Sequence, residues 1–373
     1  MKNIGVFTSS RSDYGILSKL TKELKKSKQF RLKLFVAGSH LSNFFGYTVK
    51  EIKKDFKSNI INCPNIAFTK NEIDVIKSLI NLSNIFFKKI QKKQNKVDLM
   101  ILLGDRYELL PIANICLING VEIAHIHGGE ITEGAIDNNI RNSITMMSNY
   151  HFVSTFNSKK RLINFGIDKK KIFQIGAPGL QGANEDLFTK IQLEKKFKFK
   201  FFDKNIIISY HPETKNIKNI ERNFNILINS IKKFKKIRFI FSAPGADIKS
   251  FSIKKNILKF VKNNSNCLYF DSLGHKEYLS FLKVSDLLVG NSSSGIIEAQ
   301  SLKTISINLG IRQRGRESAN SVIDEDFNEK KIQKIIKQAI SIKIKDSKFF
   351  KNPYFLVNKT SKKFIKILSK IIK

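Results

Sequence analysis

Short, predominantly apolar runs alternate with amphipathic stretches of helical period along almost the whole of this 373-residue chain. Ile4–Thr8, Leu32–Ala37, Val97–Leu103 and Val121–Ile126 read as strands, with helices over Tyr14–Lys28 and from about Asp74 to Lys93. A strand without polar alternation is buried on both faces, as in a parallel sheet covered by crossover helices. The pattern pauses at Gly176-Ala177-Pro178-Gly179, the best linker candidate. It resumes at Asn205–Ser209 and continues through Ile237–Phe241, Leu268–Phe270, Leu287–Val289 and Thr304–Asn308. Two such series, in a chain too long for one ordinary core, predict an α/β protein with two Rossmann-like, doubly wound domains facing a cleft. Residues 1–177 form the first and 183–350 the second. The tail, 354–373, is expected to complete the first, because Phe364, Ile367, Leu368, Ile371 and Ile372 share one helical face. A basic amphipathic helix lying on a membrane is the other reading of that tail.

The formal charge of +36 invites a nucleic-acid reading. Of 67 basic residues, however, 57 are Lys, spread over nearly every helical stretch. That distribution coats solvated faces, whereas a nucleic-acid binder concentrates its charge and interleaves aromatics with it. No nucleic-acid partner is expected. The ten Arg are more telling, since a planar guanidinium fork suits phosphate or carboxylate. Six fall in polar clusters: Arg11, Arg106, Arg141, Arg312, Arg314 and Arg316. For Arg314 and Arg316, bracing a loop explains the choice equally well. Cys63, Cys116 and Cys267 have no metal-ligand spacing and read as free thiols of a reducing compartment. Without a leader segment or an apolar run of spanning length, the chain reads as cytoplasmic, with no membrane insertion.

The polar clusters follow the apolar runs, where parallel strands deliver side chains to a ligand. Between Leu103 and Arg141 there are three: Gly104-Asp105-Arg106-Tyr107-Glu108, His127-Gly128-Gly129-Glu130 and Thr132-Glu133-Gly134-Ala135-Ile136-Asp137. Ser9-Ser10-Arg11-Ser12-Asp13 joins the first strand to the first helix, as an anion cradle or as a simple N-cap by Ser12 or Asp13. Gly290-Asn291-Ser292-Ser293-Ser294-Gly295 opens a later helix, with Glu298 one turn in and Arg312 after the next strand. Phosphate binding is expected there, and Glu298 could accept sugar hydroxyls. His211 follows Asn205–Ser209, again at a strand's carboxyl end. Two anion cradles suggest a diphosphate-containing ligand, and acids with His beside such a leaving group suit proton abstraction and return.

Taken together, S-R-x-D-Y, G-S-H, L-G-D-R-Y-E, H-I-H-G-G-E, I-R-x-S-I-T, H-P-E-T, G-N-S-S-S-G-x-x-E and R-Q-x-G-R resemble the hydrolysing UDP-N-acetylglucosamine 2-epimerases of sialic-acid-type sugar biosynthesis. The resemblance runs from Ile4 to about Asp324. It implies the glycosyltransferase-B arrangement and elimination of UDP across C1–C2 of the sugar to a glycal. Hydration then inverts C2, with neither metal nor any other cofactor. By resemblance, Arg11, Arg106, His211, Ser292, Ser293, Glu298 and Arg312 hold UDP and its phosphates. His40, Asp105, His127, Glu130 and Asp137 surround the sugar, and the C2 base is His127, Asp105 or Asp137. A UDP-sugar substrate and a homo-oligomer are further implications. UDP-N,N′-diacetylbacillosamine is the alternative substrate, and a nucleotide-sugar glycosyltransferase is the alternative of another class. Asn142 and Met146 stand where the pattern has His and Lys, Gly245 where a N-A-D turn has Asn, and Ile311 where Asp is frequent.

Overall fold

The computed structural model describes residues 1–65, 71–245, 249–271, 273–342 and 346–372, and in it each series folds into its own all-parallel sheet. The first unit comprises Met1–Glu130, Asp137–Gln181 and Tyr354–Lys373; the second comprises Ile131–Ile136 and Gly182–Pro353.

The first sheet contains β1 (Lys2–Thr8), β2 (Phe30–Ala37), β3 (Ile60–Cys63), β4 (Leu99–Leu103), β5 (Glu122–Ile126), β6 (Tyr150–Val153) and β7 (Ile172–Gln174). Their order is β3-β2-β1-β4-β5-β6-β7. Helices α1 (Arg11–Lys26), α2 (Val49–Asp55), α3 (Glu72–Ile90), α4 (Leu109–Ile118), α5 (Asp137–Met146) and α6 (Phe156–Asn164) connect them. The apolar runs are continuous because the sheet has a core on each face. Val6, Leu34 and Ile101 pack toward α1, while Phe7, Phe35 and Met100 pack toward α3 and α4.

The second sheet contains β8 (Lys204–Ser209), β9 (Ile237–Ser242), β10 (Cys267–Phe270), β11 (Leu287–Gly290), β12 (Ile305–Leu309) and β13 (Val322–Glu325), in the order β10-β9-β8-β11-β12-β13. Around it lie α7 (Lys190–Phe197), α8 (Ile220–Lys232), α9 (Ser250–Lys262), α10 (His275–Val284), α11 (Ser294–Ser301) and α12 (Glu329–Ser341). In each sheet the strand order reverses once, at β1/β4 and at β8/β11. Crossovers leave in opposite directions there, and the carboxyl ends of strands at such points are where open α/β sheets receive ligands.

Three features differ from the sequence reading. Gly176–Gly179 is not a flexible linker but part of a buried turn beneath the returning chain. Ala177 N–H donates to the Tyr354 carbonyl (2.9 Å), and Gly176 sits at φ +81, where a Cβ would lie 3.0 Å from that of Leu356. Next, Ile131–Ile136 packs with the second unit through backbone bonds. Glu133 N–H donates to the Arg314 carbonyl (3.0 Å), and Gly134 N–H donates to that of Ile311 (3.1 Å). A Cβ on Gly134 would sit 2.6 Å from the Ile311 carbonyl carbon, so only Gly fits. The tail helix α13 (Thr360–Ile371) buries its apolar face in the first core, with the Phe364 ring tilted against that of Phe152, centroids 4.2 Å apart, which overturns the membrane-surface reading. Among the described residues, no helix is long and apolar enough to cross a membrane.

Candidate active site

At the β1–α1 junction Ser10 is the N-cap, not Ser12 or Asp13, and α1 therefore begins at Arg11 instead of Tyr14. Asp13 closes a capping box. Its N–H donates to Ser10 Oγ (3.3 Å), and its carboxylate accepts from the N–H groups of Ser9 (3.0 Å) and Ser10 (2.9 Å). Two of the donors expected to greet an anion are thus occupied by the chain's own carboxylate. Half-buried Arg11 remains the cation of this turn. The next strand end packs onto it: Gly38, at φ +56, leaves room for the Ser9 carbonyl, which a Cβ would approach to 2.6 Å.

That turn carries His40, which is wholly buried. Its Nε2 pairs with the Thr8 hydroxyl (3.0 Å) and its Nδ1 with the Thr48 hydroxyl (2.8 Å). Burial pushes the imidazole down to about 4, the nearby Asp13 carboxylate opposing this only partly. His40 is therefore a neutral strut between β1 and the 38–48 loop.

Beyond the switch point, β4 is followed by Gly104 at φ +79 and then Asp105. The Asp105 carboxylate is gripped by Arg141, whose fully buried guanidinium also donates to the Glu130 carbonyl (2.8 Å). One residue on, Arg106 directs an edge of its fork at Glu108, Nε to Oε2 at 3.1 Å and Nη2 to Oε1 at 3.0 Å. Burial raises the Glu108 carboxyl, and the Arg106 charge holds it back.

The sharpest geometry lies after β5. His127 is a non-glycine residue at φ +65, a conformation the surrounding loop must impose. Its Nδ1 is 2.5 Å from Glu130 Oε1 and 2.8 Å from Ser154 Oγ. Its Nε2 is buried with no hydrogen-bond partner. A carboxylate accepting from Nδ1–H leaves the lone pair on Nε2, the arrangement of a histidine base. Asp137 begins α5, half-buried in its first turn. Asn142 and Met146 lie on the same helix, Met146 exposed.

One residue was missed by sequence reasoning. His125, in the middle of β5, is fully buried, its Nε2 2.7 Å from the Gly104 carbonyl and its Nδ1 3.0 Å from Thr145 Oγ1 on α5. The signal was present in H-I-H, but the first His of the pair was read as part of an apolar strand.

In the second unit, β8 and β11 end side by side, Ser209 opposite Gly290, with His211 two residues past the first and Asn291 one residue past the second. The Asn291 side chain clasps the His211 backbone, accepting from its N–H (2.7 Å) and donating to its carbonyl (2.8 Å). His211 Nδ1 accepts from the Gly245 N–H (3.2 Å), so the neutral ring carries its proton on Nε2 and offers a donor. This backbone contact stands at the departure noted for Gly245; Ala246 and Asp247 of that turn lie outside the described residues.

Ser293 is the N-cap of α11 with no side-chain capping bond, while Ser292 Oγ accepts from Ser294 N–H (3.3 Å) and Ser294 Oγ (3.0 Å). Arg312 Nη1 and Gln313 Nε2 both donate to the Asn291 carbonyl, at 3.1 and 3.0 Å, tying the loop after β12 to this helix start. Buried Glu213 secures the same loop, its Oε1 accepting from the N–H groups of Ile311 (3.0 Å) and Arg312 (3.3 Å). Glu298 is buried in α11, its charge adding to the burial that lifts the neighbouring Tyr278 phenol to about 12. Among the described residues no group of three or more His, Cys, Asp or Glu side chains could hold a metal ion. The three cysteines are free and buried, and burial raises each thiol to about 12.

A family model described as UDP-N-acetylglucosamine 2-epimerase matches residues 22–369. The GDP/UDP-N,N′-diacetylbacillosamine 2-epimerase (hydrolyzing) of Campylobacter jejuni is 35% identical over 330 residues, spanning 88% of this chain and 85% of that protein. Polysialic acid biosynthesis protein P7 of Escherichia coli is 35% identical over 370 residues, spanning 96% and 91%. Among solved structures, the Neisseria meningitidis UDP-GlcNAc 2-epimerase bound to UDP-GlcNAc matches with a TM-score of 0.80 at 18% identity, over 99% of this chain and 100% of that one. The latter likeness is one of fold: two parallel-sheet α/β domains of glycosyltransferase-B type.

Proposed function

We propose that this chain, which belongs to the UDP-N-acetylglucosamine 2-epimerase family, hydrolyses a UDP-linked 2-acetamido sugar with inversion at C2, UDP-N-acetylglucosamine being the first substrate to test. The observation that carries the reading is the His127–Glu130 pair with a buried, unpartnered Nε2. Of the three groups left open as the C2 base, His127 has the geometry of one. Asp105 is gripped by the Arg141 guanidinium, which suits it to be an electrostatic partner more than a base.

In the proposed reaction His127 Nε2 takes the C2 proton. The C–H electron pair becomes the C1–C2 double bond, and the C1–O pair departs with the β-phosphate of UDP. Water then adds across the double bond, its hydroxide going to C1 and a solvent-derived proton to C2 from the opposite face, and His127 gives the proton it took back to solvent. An α-proton of this kind is too weakly acidic to leave unaided, so stabilising the departing diphosphate is the other half of the catalysis. In the second unit we assign His211 Nε2–H, Ser292, Ser293, Glu298 and Arg312 to UDP. In the first, Arg11 and Arg106 are the cations assigned to phosphate, and Asp105, Glu130 and Asp137 are the carboxylates assigned to the sugar.

UDP-N,N′-diacetylbacillosamine is a second reading, supported by the name and coverage of the Campylobacter relative. One experiment addresses both. The protein is incubated in D₂O with either UDP-sugar and no acceptor, and followed by NMR. UDP and a C2-inverted sugar carrying deuterium at C2 are expected, with the higher kcat/KM naming the substrate. Absence of UDP release from both, or release of an uninverted sugar, would overturn the proposal.

A further inference from the structure

We infer that Thr145 and His125 are positioning residues for the reaction: Thr145 holds the His125 ring, His125 holds the Gly104 carbonyl, and the turn fixed in this way places Asp105. The inference rests on the 2-epimerase reading for its kinetic consequences, though not for its structural ones.

The chain of contacts has one consistent set of protons. The Gly104 carbonyl can only accept, so His125 Nε2 carries a hydrogen and donates across 2.7 Å. Nδ1 is then bare and accepts from the Thr145 hydroxyl across 3.0 Å. Burial lowers the imidazole to about 4, with the Gly104 bond opposing that shift, so the ring is neutral at ordinary pH and locks rather than titrates.

The turn needs such a lock. Gly104 is at φ +79, and a Cβ built on it would meet nothing within 4 Å, so no packing wedges the turn from that side. What holds it is polar: Gly104 N–H donates to the Ile126 carbonyl (2.9 Å), and the Gly104 carbonyl accepts from His125. The next residue is Asp105, gripped by Arg141. Arg141 and Thr145 are four residues apart on α5 and share a helix face, so one helix sets both the carboxylate and the peptide before it. The same Arg141 fixes the Glu130 carbonyl, next to the side chain that orients His127. The distance from Asp105 to the proposed base is therefore set by α5.

The test is Thr145→Val, which keeps the side chain's shape and removes the hydroxyl. A displacement of the reacting groups by a fraction of an ångström is expected to lower kcat about tenfold, with KM and UDP affinity unchanged. Thr145→Ser, restoring the hydroxyl, should recover kcat to within about twofold on the same argument. In parallel, amide hydrogen exchange at Gly104–Arg106 should accelerate in the valine variant and return to the parent rate in the serine variant.

A folded valine variant with parental kcat and exchange overturns the inference, as does a serine variant that rescues neither. If the parent protein releases no UDP, the functional reading fails on its own; the exchange comparison and UDP calorimetry then still decide the positioning claim. If the valine variant does not fold, His125→Gln and His125→Asn replace it. Gln can present an N–H near the place of Nε2, and Asn only near Nδ1. Gln should therefore retain Gly104 protection and activity that Asn loses, and equal behaviour of the two would overturn the inference.

Discussion

The two switch points share one sequence signature, an apolar strand running into serines and then a helix, yet they are built differently. At β1–α1, the chain's own Asp13 occupies the N–H groups of Ser9 and Ser10, and Ser10 caps the helix. At β11–α11, the capping serine makes no side-chain capping bond, and the loop is held at its Asn291 carbonyl by Arg312 and Gln313, from the loop after β12 that Glu213 secures. The rest of each unit follows suit. In the first, charged groups are already paired with one another: Asp105 with Arg141, Arg106 with Glu108, His127 with Glu130. In the second, the side chains around the switch point grip backbone: Asn291 the His211 peptide, Arg312 and Gln313 the Asn291 carbonyl, Glu213 the N–H groups of Ile311 and Arg312. A network paired in advance is suited to proton chemistry, where groups must stand ready in fixed protonation states. A scaffolded but uncommitted loop is suited to holding phosphate.

The largest effect that could break this contrast is at His127. Because Asn tolerates positive φ better than other non-glycine residues, His127→Asn removes the imidazole with little backbone strain. Turnover is expected to fall about 10²–10⁴-fold, with UDP affinity retained, as measured by UDP release and calorimetry. Turnover within about threefold of the parent protein would remove proton chemistry from this loop altogether.

Next in size is the response to acid. His40, His125 and His151, all in the first unit, are depressed to about 4 by burial. The unfolded chain binds their protons near pH 6.5, whereas the folded chain resists until about pH 4. Unfolding thus takes up protons within that window, and stability is full above about 6.5 and falls as pH drops toward 4. Each histidine accounts for about 3 kcal/mol across the window, before any local relaxation. Hydrogen exchange followed from pH 7 to 4.5 should show the first sheet losing protection before the second. His151→Gln should lessen the loss; simultaneous loss in both units would refute the asymmetry.

Much of this was legible in the chain, and what was not has physical reasons. Strands and their carboxyl-end clusters could be read because burial on both faces forces unbroken apolar runs. The capping box is also written, as Ser10-x-x-Asp13, but Ser12 offers a second hydroxyl that sequence alone does not separate from the first. His125 was hidden because its partners, Gly104 and Thr145, stand twenty or more residues away and one of them is a backbone carbonyl. The same holds for Ile131–Ile136 and for Glu213. Their attachments run through peptide N–H and carbonyl groups, which every residue possesses and no sequence displays. His40 looked like a site residue by its motif, and only the two threonines around it show that its nitrogens are spent.

At the loop after β12, Arg312→Gln should weaken UDP binding about tenfold by calorimetry, the worth of one charge-assisted hydrogen bond, while kcat changes less. Unchanged affinity would leave Arg312 as a brace for the Asn291 carbonyl alone.

The smallest effects test the contrast most directly, because they place the same substitution at both junctions. Ser10→Ala removes an N-cap whose oxygen accepts from the Asp13 N–H, so it should lower stability by about 1 kcal/mol in denaturant titration. Its effect on UDP affinity should be small, since the donors there are already taken by Asp13. Ser293→Ala removes a hydroxyl that makes no capping bond, so stability should hold within about 0.5 kcal/mol. UDP affinity should instead fall about fivefold, the share of one neutral hydrogen bond to phosphate. If both substitutions cost stability and neither costs affinity, the serines are equivalent caps and the second unit has no greater claim to the phosphate than the first. If the pattern crosses as expected, one local motif has been put to two uses by a single carboxylate, present at position 13 and absent three residues beyond Ser293.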